Sequence, residues 1–445
     1  MNIAPGLPLS PTTMRPSPPR RDGPCDVLVI GGGIVGTTVA RELQAAGRSV
    51  LLLERTAVGQ ACSLGNAGWV TPCFAMPLPQ PGMLLKSIGW LLDSSSPLHI
   101  RPALDPLLLR WLCRFLLAMN RGTMLRSVAA LTAVSTYSLR FYAELATRQP
   151  GPLCFEKRGL LMVSATRSGL AAAREEMAVM ADCGIPGRGL SREEALDFEP
   201  LLRPGILGGV FFPEEAQIDP LQATLAVTRE FESLGGTVLE RHEVFDFDLR
   251  ADRTIETVHT TQGRFRPELV VLASGSWSTE MARRLGLSVP ILGGKGYSMT
   301  LEAPPGGTLA MPARPIMIVD RKIAVTPYPD RLRVAGTLEL VNQDMSISPR
   351  RLAAIHSGAH EFLRLTANQA TPARPRDIWR GLRPCTPDGV PVVGFSRRVP
   401  NLFYCTGHQM LGLQSAPGTA RLAVELLTRA PTLTDPEPFS ARRWE

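Results

Sequence analysis

The chain has 445 residues, a formal net charge of +8 and 44 % hydrophobic residues, enough for two domains with large cores. Its lysines are Lys86, Lys157, Lys295 and Lys322, so nearly all the positive charge is arginine, and no basic run interleaved with aromatics points to nucleic acid. No apolar run is long enough to span a bilayer. The eight cysteines form no C-x-x-C pair, so no redox disulfide, iron–sulfur or zinc site is signalled, and no metal is expected.

Residues 1–24 are rich in proline and arginine and lack an apolar h-region, so they are expected to be a disordered leader rather than a secretory signal. Val27-Leu28-Val29-Ile30 then predicts a buried parallel strand. Gly31-Gly32-Gly33-Ile34-Val35-Gly36 follows, with the spacing G-x-G-x-x-G. Thr37 to Ala46 has helical spacing, and Gly47 stops it. Ser49 to Leu53 predicts a second strand, ended by Glu54. In such a unit Gly31 allows the tight turn, Gly33 lets backbone approach a pyrophosphate, and Gly36 lets helix and strand pack closely. The helix N-terminus offers N–H groups to phosphate, and Glu54 stands where a carboxylate accepts from ribose hydroxyls. The fingerprint alone does not choose between flavin and nicotinamide dinucleotides.

Residues 83–147 read as helical. Within them Asp105 to Gly122 is very apolar, and Arg110, Arg114 and Arg121 fall within about 40° of one another on a continuous helix. Met83 to Leu92 is a second apolar piece. Two readings stay open for this region: a core helix with a solvated stripe, or attachment to an anionic membrane surface. Gly159 to Thr166 is an apolar segment, followed by a helix from about Ser168 to Cys183. A helix over Pro220–Leu234 ends at Gly235-Gly236. Strands are expected at 237–240, 243–249 and 269–274. Tyr297–Glu302, Ile316–Val319, Ile323–Pro327 and Leu332–Gly336 predict an antiparallel sheet. Leu402 to Cys405, Thr406 to Gly412 and the residues to Leu427 predict a strand, a glycine loop and a helix.

Five motifs carry a family resemblance over about 26–427. They are the fingerprint, Ser63-LGNAGW-Val70, Gly294-KGYSM-Thr300, Trp379-RGLRPCTPDGVPVV-Gly394 and Thr406-GHQML-Gly412. Together they resemble the D-amino-acid oxidase and dehydrogenase superfamily of FAD-dependent amine oxidoreductases, and most of all its bacterial D-amino-acid dehydrogenases. The resemblance implies an α/β fold with a Rossmann-like, discontinuous FAD-binding domain (25–82, parts of 148–290, and 385–430). It also implies an antiparallel-sheet α+β substrate domain (291–384 with parts of 155–215), beside the helical insertion at 83–147. It implies FAD rather than NAD, and no second dinucleotide fingerprint is present to hold NAD.

Flavin N5 accepts a hydride from the carbon bearing the amine, so no dedicated general base is required. A guanidinium is a two-pronged partner for the substrate carboxylate, and the resemblance points to Arg383, with Arg380 as rival. Tyr297 is expected to donate to that carboxylate or close the pocket, unless it is a core tyrosine. His408 contacts flavin or substrate, or orients its loop. The FAD contacts implied are Gly31, Gly33, Ile34, Val35, Gly36, Glu54, Arg55, Ser63, Asn66, Ala67, Gly68, Val244, Ser274, Gly275, Trp277, Gly407, Gly412 and Leu413. The sequence departs from the family at Gln409-Met410, where D-alanine-type enzymes carry small residues. That change, with the habits of relatives, suggests a reshaped pocket and a cyclic substrate such as D-proline or cis-4-hydroxy-D-proline. Electrons then pass to a quinone or another acceptor at a cytoplasmic site; on the membrane-attachment reading that site is the inner face of the cytoplasmic membrane. The alternatives are a glycine- or sarcosine-type oxidase using oxygen, and a flavin-binding subunit that needs a partner chain.

Overall fold

The computed structural model describes residues 24–81, 98–100, 106–149, 151–303, 308–366 and 373–445. The expected leader, apart from its last residue, and the apolar piece Met83–Leu92 lie outside the described residues. Two large sheets organise the chain. The first has eight strands, centred on Pro24–Ile30 between Gly263–Leu272 and Val50–Leu53. All pairings at this centre are parallel, including Leu402–Thr406 beside Gly263–Leu272. Four-residue strands of Val and Leu such as Val50–Leu53 are buried throughout, because helices cover the sheet faces. The helix Ile34–Ala45 turns Val39, Ala40 and Leu43 inward, against Phe231 and Ala420 of two other helices, Pro220–Ser233 and Gly412–Thr428.

The second sheet has nine strands. Its path runs Arg374–Cys385, Leu292–Glu302, Leu332–Val341, Ile323–Pro327, Ile316–Ile318, Leu160–Ser164, Gly208–Phe212, Arg188–Leu190. Most neighbours are antiparallel, as expected. Two pairings are parallel: Ile316–Ile318 with Leu160–Ser164, and Leu332–Val341 with the short strand Leu98–Ile100. Leu98–Ile100 corrects the expectation of unbroken helix over 83–147. The strand expected from Tyr297 begins at Leu292, and the one expected to end at Gly336 runs to Val341. Gly293, Gly294 and Gly296 hid the first of these, since glycine weakens a strand read in isolation. Here both flanking strands pair with it along its length, and that outweighs propensity.

The apolar helix also differs from its expected course. Pro106–Ala118 ends, and a second helix, Arg121–Arg148, starts from Asn120, whose side chain accepts from Thr123 N–H. Arg121 therefore does not share a stripe with Arg110 and Arg114. Trp111 is buried and donates to the Cys385 carbonyl at 2.9 Å, while Arg114 lies 5.2 Å over Trp444. The outward face is largely apolar: Leu109, Cys113, Leu116 and Leu117 recur at helical spacing and are exposed, with Arg110 exposed beside them. Among the described residues no helix is long and apolar enough to cross a membrane.

Candidate active site

One cavity of about 1250 Å³ runs from the first glycine turn, between the two sheets, to the helix Arg167–Asp182. Its first end is made of backbone. Gly31 holds φ +117°, and a Cβ on Gly36 would lie 1.9 Å from the Gly31 carbonyl oxygen. Strand and helix can therefore meet only without side chains there. A Cβ on Gly33 would meet nothing closer than Ser63 Oγ at 3.6 Å, so it would project into open cavity. Ser63 Oγ accepts from Ile34 N–H at 3.0 Å and caps the helix start. The Glu54 carboxylate spans the turn, accepting from Gly32 N–H at 2.7 Å and Thr56 N–H at 2.8 Å. The glycines make a concave cradle at a helix N-terminus, braced by the Ser63 and Glu54 side chains, the surroundings a dinucleotide pyrophosphate needs.

Most residues singled out from sequence meet in this cavity. Gly31, Gly33, Ile34, Val35, Glu54, Arg55, Ser63, Asn66, Ala67, Val244, Ser274, Gly275, Trp277, Gly407, Gly412, Leu413, Arg383 and His408 all line it. Arg55 stacks on Trp277 at 4.4 Å. Gly36 and Gly68 do not line it: the first serves helix–strand packing, and the second lies against the Tyr328 hydroxyl.

Arg383 projects across Gly296, where a Cβ would lie 2.2 Å from its Cζ, and donates to the Thr337 carbonyl at 2.6 Å. Among the described residues no carboxylate lies within ion-pair distance of it. Burial pulls its pKa below the ordinary arginine value, with the Cys385 and Cys62 thiols opposing. A buried cation without an anion is costly, so this guanidinium is poised for an anionic ligand. Arg380 also lines the cavity, with its Nε held by the Met345 carbonyl at 2.6 Å.

Tyr297 is a correction. It is fully buried in the core behind the strand and does not line the cavity. Its hydroxyl donates to Glu339 and accepts from Ser348 N–H, both at 3.2 Å. Lys295 of the same motif reaches Glu339 at 3.1 Å and Asp344 at 2.9 Å. The motif thus fixes the segment from Asp344 to Ser348, and Met345 of that segment faces the cavity. Tyr297 acts at one remove. His408 lines the cavity and is also held within its own loop and helix. Burial pushes its pKa down to about 3, so the ring is neutral. The Thr419 hydroxyl sends its proton to the Ser415 carbonyl, so the ring nitrogen 3.0 Å away donates to Thr419 and ties the loop to its helix.

Sequence reasoning missed Thr337, Met345, Trp379 and Glu176, all on the cavity wall. Trp379 carried a signal, since a Cβ on Gly65 would lie 1.9 Å from its ring, and both sit in quoted motifs. Thr337 holds φ +61°, rare for a β-branched residue and invisible in sequence. Among the described residues no group of three or more His, Cys, Asp or Glu is placed to hold a metal.

The family model for FAD dependent oxidoreductases (DAO) matches residues 26–426. The chain belongs to this DAO family. FAD is its cofactor, and the glycine cradle, Ser63 and Glu54 are suited to hold it. Among similar proteins, D-amino acid dehydrogenase of Vibrio atlanticus (strain LGP32) is 30 % identical over 94 % of this chain and 100 % of its own. D-amino acid dehydrogenase of Methylobacterium radiotolerans is 33 % identical over 92 % of this chain and 97 % of its own. Of solved structures, glycine oxidase from Geobacillus kaustophilus has a TM-score of 0.72 at 24 % identity, covering 94 % of this chain and 98 % of its own. L-proline dehydrogenase from P. horikoshii has a TM-score of 0.73 at 18 % identity, covering 95 % and 99 %. Both share the DAO fold.

Proposed function

We propose that the protein is an FAD-dependent D-amino acid dehydrogenase, with the eight-stranded sheet as cofactor domain and the nine-stranded sheet as substrate domain. The observation that carries this reading is the Arg383 guanidinium, which meets no carboxylate among the described residues, inside the cavity that the FAD cradle opens into. When bound, FAD supplies the hydride acceptor. Arg383 receives the substrate carboxylate through a two-pronged contact. Arg380 adds positive charge at the same end, and Met345 and Trp379 close the walls against water. No side chain is assigned as a general base. The relatives named D-amino acid dehydrogenase support the substrate class and the handedness.

The test is anaerobic flavin bleaching. Purified holoprotein is mixed singly with D-alanine, D-proline, cis-4-hydroxy-D-proline, D-lysine, their L-forms, glycine and sarcosine. Bleaching by D-forms alone is expected. Bleaching by glycine and sarcosine, with peroxide formed in air, overturns the reading in favour of an amine oxidase. No bleaching of a flavin-loaded protein points to a subunit that needs a partner. Gln409 and Met410 both line the cavity, which keeps the cyclic substrates in the set.

The electron acceptor belongs to the same reading. Leu109 is 53 % exposed, Leu116 47 % and Leu117 78 %, on one face of a helix followed by Arg121 and Arg126. From Pro106 to Ala143 the chain carries no acid. An exposed apolar stripe with only cations around it suits the interface of an anionic bilayer, where a quinone is the accessible acceptor. Activity is expected to sediment with washed membranes and to be released by Leu117→Glu. Full recovery in the soluble fraction at low salt overturns the membrane reading.

A further inference from the structure

The two ends of the cavity beyond the FAD cradle carry opposite charge. At one end stand Arg380 and Arg383, and among the described residues no acid pairs with either. At the other, the helix Arg167–Asp182 presents Glu176, beside the turn Asp320-Arg321-Lys322 and Glu361. Three of those five side chains are acids. Arg321 is occupied by Glu361 at 2.8 Å. Asp320 is occupied by Ser164 Oγ at 2.8 Å and Ala165 N–H at 2.7 Å. Among the described residues nothing hydrogen-bonds or ion-pairs the Glu176 carboxylate. Burial raises its pKa to about 7, with Lys322 opposing, as befits an acid recessed in a cavity with no cation in contact.

Strand register gives the separation of the two poles. Arg383 reaches the Thr337 carbonyl. Ile323 pairs with Gly336, which sets Lys322 opposite Thr337, and Lys322 N–H bonds the Val319 carbonyl one strand further on. The helix that carries Glu176 packs on Leu160–Ser164 and Gly208–Phe212, beyond Ile316–Ile318 in the sheet, so the poles are at least two strand spacings, about 10 Å or more, apart. Between the poles the wall is apolar, formed by Met162, Met317, Val319, Ala324 and Ala335.

We propose that Glu176 is a specificity residue that receives the cationic end of the substrate side chain. The favoured substrates are then amino acids with an ammonium or guanidinium on a flexible apolar stem. The stem lies along the methionine–alanine wall, the carboxylate meets Arg383, and the side-chain cation meets Glu176. The inference rests on the reading of Arg383 as carboxylate anchor, and it competes with the expectation of a cyclic substrate.

The test uses two probes that cannot be oxidised as amino acids are: 6-aminohexanoate and hexanoate. They share the carboxylate and the stem and differ only in the terminal cation. Dissociation constants are read from flavin absorbance changes in the wild-type holoprotein and in Glu176→Gln, Glu176→Leu and Arg383→Lys. The wild type is expected to prefer 6-aminohexanoate about tenfold or more. Both Glu176 variants are expected to abolish that preference while binding hexanoate within about threefold of wild type. Turnover should follow, with the preference for D-lysine over D-norleucine lost in Glu176→Gln. Absence of the preference in wild type, or its survival in both Glu176 variants, overturns the proposal. If Arg383→Lys leaves both constants unchanged, the anchor reading falls instead. FAD content and melting temperature separate a folding defect from either result.

Discussion

At the Gly31–Gly36 end the cavity wall is backbone; at the Arg383–Glu176 end it is side chain. The first wall is made by one short run of sequence, in which strand, turn and helix follow directly. The second gathers Arg383, Thr337, Lys322 and Glu176 from three strands or turns and a helix, across more than two hundred residues of chain. A backbone site tolerates almost no substitution, because each atom is fixed by the fold. A side-chain site can change its ligand by one substitution while the fold stands. The two ends should therefore fail in different ways.

The largest effects belong to the backbone end. Gly36→Ala places a Cβ 1.9 Å from the Gly31 carbonyl, so strand and helix must separate. Loss of soluble, flavin-loaded protein is expected, measured as FAD per chain after gel filtration. Gly33→Ala meets only Ser63 Oγ at 3.6 Å. That variant should fold with a melting temperature near wild type in the absence of FAD and bind FAD at least about tenfold more weakly. If both variants behave alike, the separation of packing glycine from cradle glycine is wrong.

Legibility follows the same division. The cradle could be read from sequence because its parts are local: the spacing of Gly31, Gly33, Gly36 and Glu54 specifies geometry by itself. Arg383 was reachable through the motif around it. Tyr297 was misplaced because a strand alternates its faces, and a one-residue choice sends a side chain to the core rather than the cavity. Glu176 carried no signal, since an acid on an amphipathic helix reads as solvated until the sheet beneath it is known. The break at Asn120 was missed because the apolar residues continue across it, and only the Asn120 cap marks a new helix.

A medium effect tests the side-chain end. Arg383→Lys keeps the charge but loses the fork, removing about one charged hydrogen bond, worth roughly 1.5–3 kcal/mol. KM should rise about 10- to 100-fold for a substrate carboxylate, with FAD retained and the absorbance spectrum unchanged. Near wild-type kinetics would remove Arg383 from the site. Retained flavin is the point of contrast with Gly36→Ala, since the same cavity is damaged without loss of the cofactor.

The smallest effect on the site itself lies just behind the wall, at Glu215. It is buried; one oxygen accepts from Cys73 N–H at 3.1 Å, and among the described residues the other has no hydrogen-bond partner. Burial pushes its pKa up from 4.5 to about 8, with the Cys73 N–H opposing. The folded protein therefore keeps a proton that the unfolded chain has released between those values, and stability falls as pH rises from about 4.5 to 8. Glu215→Gln preserves the acceptor facing Cys73 and removes the titration. Its melting temperature should match wild type near pH 5 and exceed it at pH 8, by an amount equivalent to about 2–4 kcal/mol. Flavin content and turnover should stay unchanged, because Glu215 does not face the cavity. An equal shift at both pH values would mean that repacking, rather than the buried charge, sets the difference. Loss of turnover at unchanged stability would instead place Glu215 with the side-chain end of the site.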